Sequence, residues 1–112
     1  MTITRIDIDA TDTTAARFDA LSHPVRLQLL RLIAEHGGSL CVEELASRVD
    51  IISQPVIVYH LRKMYQSGIL TRRKDKLYTF YSLRPEGLSD MQHELDRLLW
   101  QHTKAAAEAR RV

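Results

Sequence analysis

Residues 53–83 leave this chain few folds to choose from. The stretch Ser53-Gln54-Pro55-Val56-Ile57-Val58-Tyr59-His60-Leu61-Arg62-Lys63-Met64 begins on a capping residue and carries proline in the first turn, where a missing N–H costs nothing. Ile57 and Leu61 stand four apart, so they share the side of a helix that anchors to a core. Ser67-Gly68 stops that helix, and the next two runs, Ile69 to Lys74 and Leu77 to Leu83, are rich in β-branched and aromatic residues. They read as two strands joined near Lys74-Asp75-Lys76. Upstream, Val42 to Val49 gives a short helix with Leu45 and Val49 on one face, and Asp50-Ile51-Ile52 is the tight turn between the two helices. Helix, turn, helix and hairpin in that order predict a helix-turn-helix with a wing.

The remainder of the chain supplies the scaffold. A first helix is expected from Thr13 to Leu21, with Ala16, Phe18 and Leu21 for packing, and Ser22-His23-Pro24 interrupts it. Pro24 opens a second helix in which Val25, Leu27, Leu29, Leu30, Leu32 and Ile33 are dense enough to be buried on most sides, and Gly37-Gly38 ends it. Pro85 opens a long last helix where Leu88, Met91, Leu95, Leu98 and His102 recur at near-heptad spacing before the pattern fades at Ala105-Ala106-Ala107. Residues 1–12 alternate isoleucine with polar residues and read as a mobile arm of no assigned function. The fold class predicted is mainly α with a two-stranded β-hairpin (α+β), one domain over residues 13–110. A chain of 112 residues with 45% hydrophobic content builds one core and gains from dimerisation. The stripe on the last helix is therefore expected to pack on a second copy.

Charge is unevenly placed. Residues 60–76 hold Arg62, Lys63, Arg72, Arg73, Lys74 and Lys76 against Asp75 alone, a local excess of +5, while the rest of the chain, ten cations against thirteen acids, sums to −3. Such concentration draws a polyanion to one face and repels it elsewhere. Double-stranded DNA is the partner this predicts. Gln54 can pair bidentately with adenine, Val56 can touch a thymine methyl, and Ser53 can bond to phosphate or base; Tyr59 and His60 lie on the same helix side. The six cations suit phosphates or, at a wing tip, the minor groove. No glycine-rich phosphate loop, nucleophile with a neighbouring base, or complete metal triad is visible, so an enzyme is not expected. One cysteine, Cys41, no basic and apolar leader and no long apolar run point to a cytoplasmic protein with no membrane partner.

Phe18-Asp19-Ala20-Leu21-Ser22-His23-Pro24-Val25-Arg26-Leu27-Gln28-Leu29-Leu30 resembles the opening of the ArsR/SmtB family of winged-helix repressors. So do Ser53 to Leu61, Ser67-Gly68-Ile69-Leu70 and Leu77 to Leu83, which together extend the resemblance over roughly residues 14–85. The resemblance implies a homodimer built on the first and last helices, through Phe18, Leu88, Met91, Leu95, Leu98 and His102. It also implies an operator of approximate two-fold symmetry, with half-sites about 10 to 10.5 base pairs apart, and repression relieved by a chemical signal.

The signal is the open question at this level. Metal sites of the family at the third helix resemble Cys-Val-Cys-Asp-Leu or Cys-Val-x-Asp-Leu, and here the stretch is Cys41-Val42-Glu43-Glu44-Leu45, which keeps the first thiol and an acid three residues later but lacks the second thiol. Cys41 and Glu44 can instead close a capping box. Other members hold zinc, cobalt or nickel across the dimer from the last helix, and Asp90, His93, Asp96 and His102 are competent donors. Asp90 and His93 share a face, but His93 and His102 point to opposite sides, so one chain cannot use both. The alternatives are thus a repressor released by a small effector such as a divalent transition metal, and a regulator that senses no metal and answers to an organic effector or a protein co-regulator.

Overall fold

The computed structural model describes residues 12–110. Eight elements follow one another: α1 (Thr13–Leu21), α2 (Pro24–Glu35), β1 (Ser39–Cys41), α3 (Val42–Arg48), α4 (Gln54–Gln66), β2 (Leu70–Asp75), β3 (Tyr78–Leu83) and α5 (Pro85–Ala109). Most of the expected arm falls outside the described residues; Asp12, its last member, caps α1 by accepting from Thr14 N at 2.9 Å and Ala15 N at 3.2 Å.

Two helices end in the same way. Gly37 and Gly68 take positive φ angles of 86° and 83°, which only glycine adopts without strain. Past them the chain turns back, so that Gly38 N donates to Ile33 O at 2.8 Å and Ile69 N to Met64 O at 3.0 Å, satisfying carbonyls the helices would otherwise leave bare. These stops aim α2 into β1 and α4 into β2. Ser53 holds the cap position of α4 with extended backbone, but its hydroxyl makes no capping bond.

Leu29 and Ile33 of α2, Leu45 of α3, Ile57, Leu61 and Met64 of α4, and Ile69 and Leu70 at the start of the wing are fully buried. Each contributes about 1.5–3 kcal/mol by leaving water. They form one cluster, on which Phe18 and Leu88 pack half-buried.

The sheet has three antiparallel strands in the order β1-β3-β2, one more than the hairpin alone. Ser39 to Cys41 pair with Ser82 to Phe80, and three residues are too few to display a strand's alternation in sequence. Along β2 and β3, Leu70 pairs with Leu83, Arg72 with Tyr81 and Lys74 with Thr79. Successive side chains alternate between faces, so this one face runs from buried Leu70 and Tyr81 out to exposed Arg72 and Lys74.

The last helix divides along its length. Met91, expected at a subunit interface, is 5% exposed and belongs to the chain's own core, because the first turns of α5 lie against α1. From Leu95 onward the helix is almost wholly exposed, Leu98 and His102 included. The molecule accordingly spans 63 Å along its long axis and only 27 by 25 Å across. Among the described residues no helix is long and apolar enough to cross a membrane.

Candidate nucleic-acid interface

The angular step of a helix decides which α4 side chains are free. With Ile57, Leu61 and Met64 turned to the core, Val56, Tyr59, Arg62 and Lys63 fall on the opposite side and are exposed, Val56 by 43% and Tyr59 by 53%. Ser53 and Gln54 are exposed at the leading end. Lys63 Nζ stands 5.6 Å from the Tyr59 ring centre, giving this face an aromatic surface edged by charge.

Beside α4 lies an open groove of about 640 Å³, walled by Gln54, Val58, Arg62 and Tyr65 on the helix and by Arg72, Lys74 and Thr79 on the sheet. Val42 and Glu43 of α3 close its end. The Arg72 guanidinium stacks over the Tyr65 ring at 4.3 Å, which fixes it in the groove rather than leaving it free to sweep. Tyr65 was not singled out from sequence; its spacing of three from Arg62 on α4 was the available signal. None of Arg62, Lys63, Arg72, Lys74 or Lys76 pairs with an acid among the described residues. Of the expected cationic patch, Arg62, Arg72 and Lys74 thus face one opening from two elements, without an ion pair among the described residues.

Two of the expected DNA-contacting residues are placed differently. Arg73 lies on the other face of the wing, over the Phe80 ring at 5.0 Å and 3.6 Å from Asp75, because it is one residue out of step with Arg72 and Lys74. His60 turns from the exposed side of α4 towards α2, where Arg26 Nε donates to its Nδ1 at 3.1 Å. Arg26 is 5% exposed, three and seven residues ahead of Leu29 and Ile33 on the buried face of its helix. That spacing was the signal for a buried arginine. At the wing tip Lys76 takes a φ of 56° and presents Leu77, 90% exposed.

The candidate metal donors are engaged elsewhere or apart. Cys41 is buried at the N-terminus of α3, its sulfur facing the Glu44 N–H while the Glu44 carboxylate accepts from Cys41 N at 3.2 Å. Burial and then the neighbouring Glu44 push its thiol pKa up, away from the thiolate that binds metals. The bonds from Cys41 hold the Glu44 carboxyl below its ordinary range. Asp90 makes an ion pair with Arg17 at 2.6 Å, and Arg17 Nε also donates to Ser67 O at 3.2 Å, so this carboxylate ties α5 to α1 and to the end of α4. His93 and His102 are both exposed, nine residues apart. Among the described residues no three potential ligands gather within one chain. These side chains do not fit a thiolate centre or an α5 centre built from a single copy.

Comparison with known proteins agrees with the architecture. Residues 23–72 match the family described as "Bacterial regulatory protein, arsR family". The chain is 31% identical over 87 residues to an HTH-type transcriptional regulator of Methanocaldococcus jannaschii, covering 78% of this chain and 96% of that one. It is 32% identical over 76 residues to an arsenical resistance operon repressor of Staphylococcus xylosus, covering 68% and 70%. Of the two arsenic resistance regulators of Pseudomonas putida, by contrast, the match spans 52% and 65% of the length. Among solved structures, HlyU from Vibrio cholerae superposes with a TM-score of 0.62 at 28% identity, over 81% of this chain and 97% of that one. An ArsR-like regulator from Rhodococcus shares the fold with a TM-score of 0.71 at 24% identity, over 85% and 89%. The Methanocaldococcus, Staphylococcus and Rhodococcus proteins are named as transcriptional regulators or repressors. From the capped helix-turn-helix to the basic wing, the chain belongs to the ArsR family of winged-helix, DNA-binding transcriptional regulators.

Proposed function

We propose that the chain is a homodimeric repressor that lays α4 in the major groove of a two-fold symmetric operator and its wing along the flanking backbone. The observation that carries this reading is the groove in which Arg62, Arg72 and Lys74 converge from two elements, none of them ion-paired among the described residues and Glu43 the one acid on its wall. Gln54, Val56 and Tyr59 read base edges, and the cations bind phosphate. The second copy covers the exposed part of α5, where Leu95 and Leu98 are 49% and 53% exposed in continuation of a stripe that begins in the core. Relatives named as arsenical resistance operon repressors support repression as the outcome of binding.

A second reading of the control step is favoured by two side-chain engagements, the burial of Cys41 in its capping box and the hold of Arg17 on Asp90. On that reading the regulator senses no metal through these residues, and an organic effector or protein partner releases it. Fluorescence anisotropy of the full chain on DNA from upstream of its own gene, at two salt concentrations, tests the function. Tight binding that weakens steeply with salt is expected, each phosphate contact adding about 0.9 to the slope of log affinity against log salt. Binding with no salt dependence overturns the assignment of the groove. Zinc, cobalt or nickel added to the complex separates the two control steps, since only a metal sensor responds.

A further inference from the structure

We infer that Arg26 and His60 are one positioning unit for the helix that reads DNA, engaged only while His60 is neutral, so that acid weakens operator binding. This rests on the reading of α4 given above. Arg26 reaches out of the buried side of α2 with no carboxylate in ion-pair range among the described residues. A guanidinium buried in that way is costly unless its donors are used. Here Nη1 donates to the Ala20 carbonyl at 3.4 Å, and Nε donates to His60 Nδ1 at 3.1 Å.

A guanidinium has donors only, so Nδ1 must offer its lone pair and the single ring proton must sit on Nε2. A second proton has nowhere to go but Nδ1, the atom that faces Arg26. Protonation therefore turns the bond into two opposed N–H groups and sets two positive charges side by side in a part-buried site. The surroundings add to that cost. From the cap position just before α2, His23 lies 6.1 Å from the His60 ring; from α4 itself, Tyr59 meets it edge-on at 5.4 Å. Lys63 of α4 and Asp19 of α1 line the cleft that Arg26 closes, and Asp19 forms no ion pair with it. Burial, then Arg26, then His23 hold the His60 pKa below its ordinary value. His60 sits beside Tyr59 and one turn after Val56, so releasing it from α2 unsettles the side chains of the reading face.

The sign of the effect is diagnostic. A protein held to DNA by charge alone binds more tightly in acid, because its net positive charge rises. Here binding is expected to weaken. The test is DNA anisotropy of the full chain from pH 7.5 to pH 5, with His60→Asn as the variant, whose Oδ1 can accept from Arg26 and never titrates. Wild type is expected to lose about tenfold in affinity and the variant to change by no more than about twofold, since each pH unit below a pKa is worth a factor of ten. In parallel, nitrogen-15 shifts of the His60 ring, assigned by their loss in the variant, should show the proton on Nε2 at pH 7.5. Three results overturn the inference: acid tightening in wild type, the same acid loss in His60→Asn, or a proton on Nδ1. If wild type fails to bind at pH 7.5, the DNA reading itself falls, and the inference with it.

Discussion

Arginines flank α4 on both sides and do opposite things. On the side of α1 and α2, Arg17 and Arg26 are 8% and 5% exposed and their donors are bound to Asp90, Ser67 O, Ala20 O and His60. Towards the wing, Arg62 and Arg72 stand exposed in a groove with no acid partner among the described residues. Buried cations whose donors are bound hold the helix in place, whereas exposed ones without an ion pair supply an outward field. Counting positive residues alone cannot tell these two populations apart.

The sharpest way to break the holding side is steric. A Cβ on Gly87, in the first turn of α5, would run into the Gly68 carbonyl, backbone against backbone. Gly87→Ala should therefore cost about 3 kcal/mol, an overpacking penalty with little room to relax, read as a lower urea midpoint. Arg17→Met should follow at about 2 kcal/mol, because it leaves Ser67 O and Asp90 without their donor while filling similar space. Operator affinity per folded molecule should change by no more than about threefold in that variant, as measured by stoichiometric titration of the binding-competent fraction on DNA. Arg72→Ala should do the reverse. Its affinity for DNA should fall about tenfold and its salt slope by about one, with the urea midpoint hardly moved.

Acid sharpens the comparison from another direction. The His60 pKa is lowered in the fold, so the unfolded chain takes up the proton first. Stability is at its fullest above the ordinary histidine value of about 6.5 and is lost as pH falls through it towards the lower folded value. Urea unfolding at pH 7.5 and 5.5 should display that loss, and His60→Asn should shrink it. The smallest change expected is Cys41→Ser, which puts a capping oxygen in place of the sulfur at the head of α3 and should shift stability by less than about 1 kcal/mol. Native Cys41 should also react slowly with a soluble disulfide, its thiol being buried and its pKa raised.

Punctuation in the sequence accounts for what could be read in advance. Pro24, Gly37, Pro55, Gly68 and Pro85 each mark a boundary by restricting the backbone locally, and the helices begin and end beside them. Side-chain direction was less legible. Met91 continues the same stripe as Leu95, and only the approach of α1 decides that one is core and the other exposed. His60 lies at an intermediate angle on α4, between the core side and the open side, so its partner depends on where α2 comes to rest. Arg73 lies in an unbroken basic run with Arg72 and Lys74, and the strand's alternation, invisible in a count of charges, turns it away.

The wing is a beam clamped at one end. Leu70 and Tyr81 fix its root in the core, Arg72 projects from the next position on that face, and Lys76 and Leu77 sit at the free tip. Deflection of such a beam grows with distance from the clamp. In the proposed complex a contact made by Arg72 should therefore be more stringent about where the DNA backbone lies than one made by Lys76. On the proposed binding mode, operators that differ in groove width should be discriminated at the root and forgiven at the tip.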